Sequence, residues 1–303
     1  MLDTSIKLCD VIFPDPVLPA SGTVSFGYDY TGGDIEKLSS FVLPGVTMKP
    51  VECKKERTEN MSDLSVIESD CFPNPGVYSV QEEELPRLKQ NYGRRVFASV
   101  CGSTIEEYVK VAEILDRSDS VGFLELDSTC RNRDNSNIRF GNNATSLYKI
   151  VNEVKYRVRK PVFAKLCASV TNIRDMAQAA QDGGADGVVI PGMRYGADVD
   201  LNAVKRVPDG DGRYYAYALK PLILADVFEV FDAVGLIIAS CGGVRNGEDA
   251  LKMIAAGASL VQIDKDVMSE KNACERISAE LYEAMKKYGI DRVKDFVGAA
   301  HRR

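Results

Sequence analysis

Eight short apolar runs, separated by segments of helical periodicity, set the strongest limit on what this 303-residue chain can fold into. They read LPASG (18–22), SFVLPGVTM (40–48), VFASVCG (96–102), GFLELDST (122–129), VFAKLC (162–167), GVVIPG (187–192), LIIASCGG (236–243) and LVQIDKD (260–266). Most are almost continuously apolar, as strands buried on both faces of a parallel sheet must be. Between many of them apolar residues recur every three or four positions: Ile105, Tyr108, Val109, Ala112 and Leu115; Leu147, Ile150, Val151 and Val154; Ile173, Met176, Ala177 and Ala180; Leu251, Ile254 and Ala255. GGADGVVI (183–190) and AGASLVQI (256–263) repeat one helix–turn–strand join, with glycine closing the helix. Eight such units predict a closed (β/α)8 TIM barrel, residues 1–303 forming one domain. The rival arrangement, an open doubly wound sheet, calls for GxGxxG after the first strand, and the sequence has none.

Four segments exceed a minimal barrel. Residues 5–17 predict a short hairpin ahead of the first strand. Residues 49–95 form a long polar stretch, and 130–144 and 193–217 read as long loops that directly follow strand-like runs. Long loops in compact domains are commonly functional, and in a barrel the loops after the strands build the active-site face.

Composition removes several classes of function. Lys plus Arg number 38 against 44 Asp plus Glu, a net charge of −6, which is not the footprint of a nucleic-acid binder. No apolar stretch approaches the ~20 residues of a membrane span, and MLDTSIKLCDVIF reads as mature sequence rather than a signal peptide. The eight cysteines are never closer than 18 residues, so zinc-ligand spacing is missing and no metal site is expected. Several sit inside apolar runs, where Cys behaves as a small hydrophobe, so reduced thiols and a cytoplasmic protein are expected. His301 is the single histidine. Acid–base work therefore falls to Cys, Lys, Asp, Glu or Tyr.

Six features bear on chemistry, several with a plainer alternative. Cys130 ends a strand-like run and opens an Asn- and Arg-rich loop, where a barrel places a catalytic group; the alternative is a solvent-facing thiol. Lys165 interrupts an apolar strand, which is costly unless an anion or cofactor pairs with it; the alternative is a structural ion pair, with Glu125 the natural partner. Gly242-Gly243 precedes a helix after the seventh run, where freed backbone N–H groups bind phosphate. The matching eighth loop, Asp264-Lys265-Asp266, sets two carboxylates and one lysine at the same place. Tyr214, Tyr215 and Tyr217 either stack on a ring or pack a loop. The Lys54-Lys55-Glu56-Arg57 run reads as a solvated face.

The segments DPVLPASGTVSFG (15–27), NPG (74–76), CGSTIEEYVKVAEIL (101–115), FLELDSTCRN (123–132), PVFAKLCASVTNI (161–173), ALKPLIL (218–224) and CGGVRNGEDALKMIAAGASLVQI (241–263) together resemble class 1 dihydroorotate dehydrogenases. They are most similar to the type that pairs with an iron–sulfur flavoprotein subunit. The resemblance spans essentially the whole chain. It implies FMN across the strand C-termini, a small-molecule substrate, a homodimer, and a loop cysteine that takes a proton while hydride leaves for the flavin. Cys130 falls on that cysteine and Asn132 on a substrate-contacting asparagine. Ala20, Ser21 and Gly22 fall on the backbone beside the flavin ring, Lys165 on the lysine at its pyrimidine end, and Gly242 and Gly243 on the phosphate loop.

Departures are equally specific. Pro44 stands where the family has a catalytic-face lysine. Glu68, Asp127, Pro191 and Ser99 stand where it has asparagines, the first two on the substrate side and Ser99 facing the flavin. Gly212-Arg213-Tyr214-Tyr215-Ala216 replaces a glycine-rich segment, and Asp264-Lys265 replaces the Gly-Thr that closes on the phosphate, leaving Lys265 to contact it. A site built to hydrogen-bond a group discriminates by about 10⁴ when the pairing is lost. The expected activity is FMN-dependent hydride transfer with dihydroorotate or a related small cyclic or amine-bearing substrate, the departures speaking against efficient use of dihydroorotate itself. The alternative is a barrel that has lost FMN and serves as a non-redox enzyme, ligand-binding protein or partner subunit.

Overall fold

The computed structural model describes residues 2–28, 30, 32–53, 58–62, 65–71, 73–131, 134–135, 138–264, 267 and 270–302. The chain opens with the expected hairpin, β1 (Ile6–Leu8) paired antiparallel with β2 (Val11–Phe13), and enters the barrel at β3 (Val17–Pro19). The polar stretch that follows contributes β4 (Thr58–Ser62) and β5 (Ser65–Ser69), then a short helical run of α1 (Val77–Ser79), a five-residue π turn and α2 (Leu85–Asn91). The regular alternation begins at β6 (Val96–Val100), α3 (Ile105–Asp116), β7 (Val121–Asp127), α4 (Ala144–Arg157), β8 (Val162–Lys165), α5 (Ile173–Asp182) and β9 (Gly187–Ile190). After β10 (Arg194–Asp200) and β11 (Lys205–Ala216) it resumes with α6 (Lys220–Ala233), β12 (Ile237–Cys241), α7 (Gly247–Ala256), β13 (Leu260–Ile263) and α8 (Ala273–Tyr288).

Seven parallel strands run in the order β3-β13-β12-β9-β8-β7-β6. The eighth stave is the run at 40–48, which joins by single bridges. Val42 N–H donates to Pro19 O (3.2 Å) on one side, while Leu43 and Val46 N–H donate to Phe97 O (2.9 Å) and Ser99 O (2.8 Å) on the other. Pro44 has no N–H to give, so a continuous ladder cannot form there although the cylinder still closes. Side-chain caps start the helices as the sequence provides: Thr104, Asn143, Asn172 and Asn246 each accept from a backbone N–H of the first turn.

Two apolar layers result. The outer one lies between strands and helices, with Val111, Leu115, Ile150, Val154, Ile223 and Ile254 fully buried. The inner one fills the lower barrel: Phe97 stacks on Phe123 at 4.5 Å, Phe163 meets both edge-on, and Phe13 of the hairpin closes the bottom, 5.6 Å from Phe123. Polar groups inside the barrel are confined to its upper end, where Ser99, Glu125, Lys165, Gln262 and Asp264 gather.

Two expectations need correcting. Residues 193–217 are not an irregular loop; they form β10 and β11, and β11 pairs across about 140 positions with β5 of the polar stretch to give an antiparallel sheet, β10-β11-β5-β4. Local patterning carries no sign of so distant a partner. The cysteines are also not all reduced. A two-way backbone pairing of Val51 with Asn74 holds Cys53 and Cys71 with Cα atoms 6.1 Å apart, within disulfide span, and the two are bonded. The other six cysteines are not in disulfides.

Candidate active site

A cavity of about 250 Å³ lies at the C-terminal mouth of the barrel, between the strand ends and the antiparallel sheet. Ala20, Ser21 and Gly22 form one wall where the chain leaves β3. Ser21 Oγ is tied to Leu43 O (2.9 Å) and Thr23 Oγ1 to Ala20 O (2.7 Å), which hold this segment on the eighth stave. Gly22 is left-handed (φ 78°) with nothing within 4 Å of where a Cβ would stand, so the wall is open for close approach.

Lys165 rises from the floor at the end of β8. Its Nζ lies 3.2 Å from Glu125 Oε1, and the other Glu125 oxygen accepts from Gln262 Nε2 at 3.0 Å. Glu125 is wholly buried and Lys165 only 12% exposed at its side chain. Burial works against the ammonium, but Glu125, then Cys241, Asp127 and Asp264, outweigh it and hold the Lys165 pKa above the ordinary lysine value. Both Lys165 readings therefore coexist: it is an ion-pair partner of Glu125 and also part of the cavity wall.

Asp127 is the register partner of Lys165 across β7 and β8. One carboxylate oxygen accepts from the Thr129 N–H (3.0 Å) and hydroxyl (2.5 Å), and the side chain lines the cavity. Cys130, next in the turn, is half-buried and is not on that wall. Its thiol instead engages Cys101 and Tyr108. The hydrogen bond to Cys130, with burial, pushes the Cys101 thiol up, and burial raises Tyr108. The Tyr108 hydroxyl donates to Asp127 O, clamping the turn from below.

The sheet supplies the roof. Alternation along β11 turns Arg213 and Tyr215 inward. Tyr215 donates to Glu68 Oε1 at 3.1 Å, and Arg213 faces Glu68 across the strands at 3.3 Å and Asp70 at 3.4 Å. Arg213 also donates to Ser69 O and Cys71 O. Behind it, Arg139 joins Asp70 (2.8 Å) to Asp211 (2.6 Å) and stacks 3.8 Å from the Tyr195 ring. Glu68 thus reaches the cavity only through Tyr215 and Arg213.

At the far end Gly242 (φ 74°) and Gly243 (φ 69°) make a left-handed turn between β12 and α7. A Cβ on Gly243 would meet Lys220 Cα at 2.9 Å, so only glycine passes. Lys220 and Arg245 flank this turn and both lie over the Tyr217 ring, at 4.5 and 4.7 Å. Arg245 Nε is buried with no hydrogen-bond partner. Asp264 stands beside the same turn, its Oδ2 accepting from Cys241 Sγ at 3.8 Å. Ser99 is fully buried beside Glu125 and its Oγ has no partner.

Of the residues singled out in the sequence, the cavity brings together Ala20, Ser21, Gly22, Pro44, Asp127, Lys165, Pro191 and Asp264. Cys130, Glu68, Ser99, Gly242 and Gly243 border it without lining it. Asn132, Lys265, Asp266 and the Lys54–Arg57 run lie outside the described residues. Arg213 on the wall was not foreseen. Tyr215, left open between stacking and packing, occupies the wall as well. Their signal was the alternation Gly-Arg-Tyr-Tyr-Ala, a strand pattern hidden in a segment read as loop.

A parallel eightfold barrel with a lysine in its upper floor, an open left-handed glycine on one wall and a glycine turn at the opposite end defines a ligand-binding α/β-barrel enzyme scaffold. The family profile described as dihydroorotate dehydrogenase matches residues 1–285, and the chain belongs to that family. It is 32% identical over 299 residues, 97% of this chain and 94% of the relative, to the dihydroorotate dehydrogenase B (NAD(+)) catalytic subunit of Geobacillus sp. (strain WCH70). It is likewise 32% identical over 302 residues to the same subunit of Desulforudis audaxviator (strain MP104C), covering 99% and 98% of the two chains. Among solved structures, the fold matches a dihydroorotate dehydrogenase from Eimeria tenella in complex with ferulenol, with TM-score 0.80 and 18% identity over 99% of this chain and 89% of that one. No helix among the described residues is long and apolar enough to cross a membrane.

Proposed function

We propose that this chain is an FMN-dependent oxidoreductase that moves hydride between a small cyclic substrate and the flavin. The single observation carrying this reading is Lys165. A charged lysine is held in the barrel floor by a wholly buried carboxylate and opens directly on the cavity, beside the Ala20–Gly22 wall.

The residues present fit the cofactor at both ends. At the ring end, Gly22 leaves the backbone bare and Lys165 offers a fixed positive charge. At the phosphate end, the Gly242-Gly243 turn is flanked by Lys220 and Arg245, whose buried Nε is an unused donor. Asp264 opposes an anion there and weakens the site without closing it. Lys265 and Ser99 belong to this flavin surface by resemblance. When bound, FMN supplies the acceptor for a hydride.

The chain supplies the rest. Ala20–Gly22 and Lys165 orient the ring plane and favour negative charge at its pyrimidine end. Asp127 positions the substrate from the end of β7, Asn132 is assigned to the substrate by resemblance alone, and Glu68 sets Tyr215 and Arg213 above it. Cys130 Sγ accepts the substrate proton as the thiolate, having released its own proton to solvent and turned from Cys101 toward the cavity. General-base catalysis of this kind contributes about 10² to 10⁴ in rate. The relatives are catalytic subunits by name; an iron–sulfur flavoprotein partner, a homodimer and a cytoplasmic setting complete the proposal.

The test is the visible spectrum of the purified protein with mass spectrometry of the released ligand, followed by Cys130→Ser. Bound FMN, and a reduction step slowed at least a hundredfold in the variant with flavin retained, support the reading. Protein that stays colourless after incubation with FMN overturns it and leaves a barrel with a non-flavin ligand.

A further inference from the structure

The bond between Cys53 and Cys71 lies at the edge of the cavity, not in the core. A chain of 303 residues buries enough apolar surface to stand without a staple, and its other six cysteines form no disulfide. Cys71 is itself part of the cavity wall. Both cysteines are half-buried, so a small thiol reaches the bond from solvent.

The bond closes the root of the roof. β5 stops at Ser69, and the residues that follow it hold Arg213: Asp70 faces the guanidinium at 3.4 Å, and Cys71 O accepts from it at 3.2 Å. Asp70 also pairs with Arg139 at 2.8 Å. Cys53 precedes β4, the edge strand of the sheet, which pairs with β5 alone. Among the described residues, the outgoing and returning chains of this β4–β5 arm are joined at its root by the Val51–Asn74 backbone pair and the disulfide. Cross-linking two residues 18 positions apart disfavours the detached arm about a hundredfold by loop closure. The ladder of β5 on β11, from Ser69–Gly212 to Ser65–Ala216, does not need the bond. Breaking it therefore loosens the arm and leaves the sheet formed.

We propose that Cys53–Cys71 is a redox latch on the cavity roof, opened by a dithiol and closed by the corresponding cyclic disulfide. A thiolate of the dithiol attacks one sulfur and forms a mixed disulfide, while the other cysteine leaves as a thiolate and takes a proton. The second thiol of the dithiol then displaces the first cysteine, which is protonated in turn, and closes the reagent's own ring. Two electrons and two protons pass to the cysteines, and the reverse exchange returns them. Opened, the latch frees Cys71 from its tether and loosens Asp70 and Cys71 O around Arg213, so the edge of the cavity gives way. Closed, it fixes that edge. The latch governs access to the cavity whatever reaction proceeds inside, so it does not rest on the flavin reading.

The test uses the full chain after incubation with FMN, equilibrated without denaturant in mixtures of reduced and oxidised dithiothreitol. Alkylation with peptide mass spectrometry follows the two cysteines, and amide hydrogen exchange follows the roof. Cys53 and Cys71 are expected to become alkylated together in one transition. Exchange across 65–71 and 205–216 is expected to be at least tenfold faster in the reduced chain, with α4 within twofold. Cys53→Ser should exchange at the reduced rate in both buffers. Exchange unchanged on reduction overturns the proposal. So does a bond that yields only in urea, a pair that stays unbonded in the most oxidising mixture, or a Cys53→Ser chain whose roof still responds to the dithiol. The oxidised and reduced parent are compared without any variant, so a misfolded Cys53→Ser leaves the proposal open to refutation. Flavin content of the same sample, read from its visible spectrum, reports separately on the cofactor reading.

Discussion

Replacing Lys165 by methionine separates what the lysine does for the barrel from what it does for the ligand. Glu125 has no exposed surface, and its partners are Lys165 at 3.2 Å and Gln262 at 3.0 Å. Lys165→Met keeps the stem and removes the ammonium, leaving a buried carboxylate with one neutral donor. Breaking one side of a buried pair costs about 3 to 5 kcal/mol. Unfolding entropy near 2.1 cal/mol/K per residue gives a chain of this length about 0.6 kcal/mol/K, so Tm should fall by about 5 to 8 °C. Glu125→Gln in the same chain removes the stranded charge, and the double variant should recover most of that loss because a neutralised pair is close to energetically even. Thermal unfolding followed by circular dichroism reads both. Flavin retention should not recover: the double variant is stable yet lacks the positive charge at the cavity floor. A single variant within about 1 °C of the parent would mean that water reaches Glu125 and that the buried-pair argument is wrong. A double variant no more stable than the single would place the cost in packing rather than charge.

Three further perturbations follow from the same geometry. Burial lifts the Asp15 carboxyl to about 6, against weaker pulls from the Val17 N–H and the Ser278 hydroxyl; a raised carboxyl withdraws stability as pH climbs from about 4 through 6, so Asp15→Asn should stabilise the chain by about 3 kcal/mol at neutral pH and by nothing below pH 4, read by urea unfolding across that range. Gly243→Ala forces a Cβ against Lys220 Cα at 2.9 Å in a left-handed backbone, and should cost about 1 to 3 kcal/mol together with most of the FMN affinity, measured by unfolding and by flavin fluorescence titration. Asp264→Asn removes the carboxylate beside the phosphate turn and should tighten FMN about three- to tenfold with the ring contacts unchanged, the increment of one partly screened charge; unchanged affinity would mean that Asp264 faces away from the bound anion.

What was legible in the sequence follows the range of the forces involved. Barrel strands are buried on both faces, so VFASV, GFLELD and GVVI announce themselves without knowledge of their neighbours, and the helical stripes between them do the same. Lys165 and Glu125 were conspicuous because each breaks such a run; their meeting at 3.2 Å is what buried charge demands. Single bridges at 42 and 46 in place of a regular strand were equally implicit in Pro44, which removes a donor in the middle of the run. The roof was not legible. β11 pairs with β5 across about 140 residues, and nothing within either segment names the other. That distance explains why nothing in its own segment marks Arg213 as part of the cavity wall and why the tie between Glu68 and Tyr215 is not written in either strand.

Cys130 marks the same boundary from the other side. Its place at the end of β7 is a local fact, written in FLELDSTC, whereas the neighbour that now holds its thiol, Cys101, arrives from the end of β6 through the Val100–Leu126 register. Strand order brings the two thiols together, and strand order is a property of the closed cylinder rather than of either segment. A half-buried thiol paired with Cys101 is turned away from the cavity and misdirected for chemistry. Turning it toward the cavity exchanges one weak S–H contact for access to substrate. Thiol hydrogen bonds are weak, so the exchange is within reach of the energy a bound ligand provides. Cys101→Ala should therefore leave the fold intact and raise the rate at which Cys130 is alkylated by iodoacetamide. A rate no faster than the parent's would show that the turn from Ser128 to Phe140, and not Cys101, holds the thiol in place.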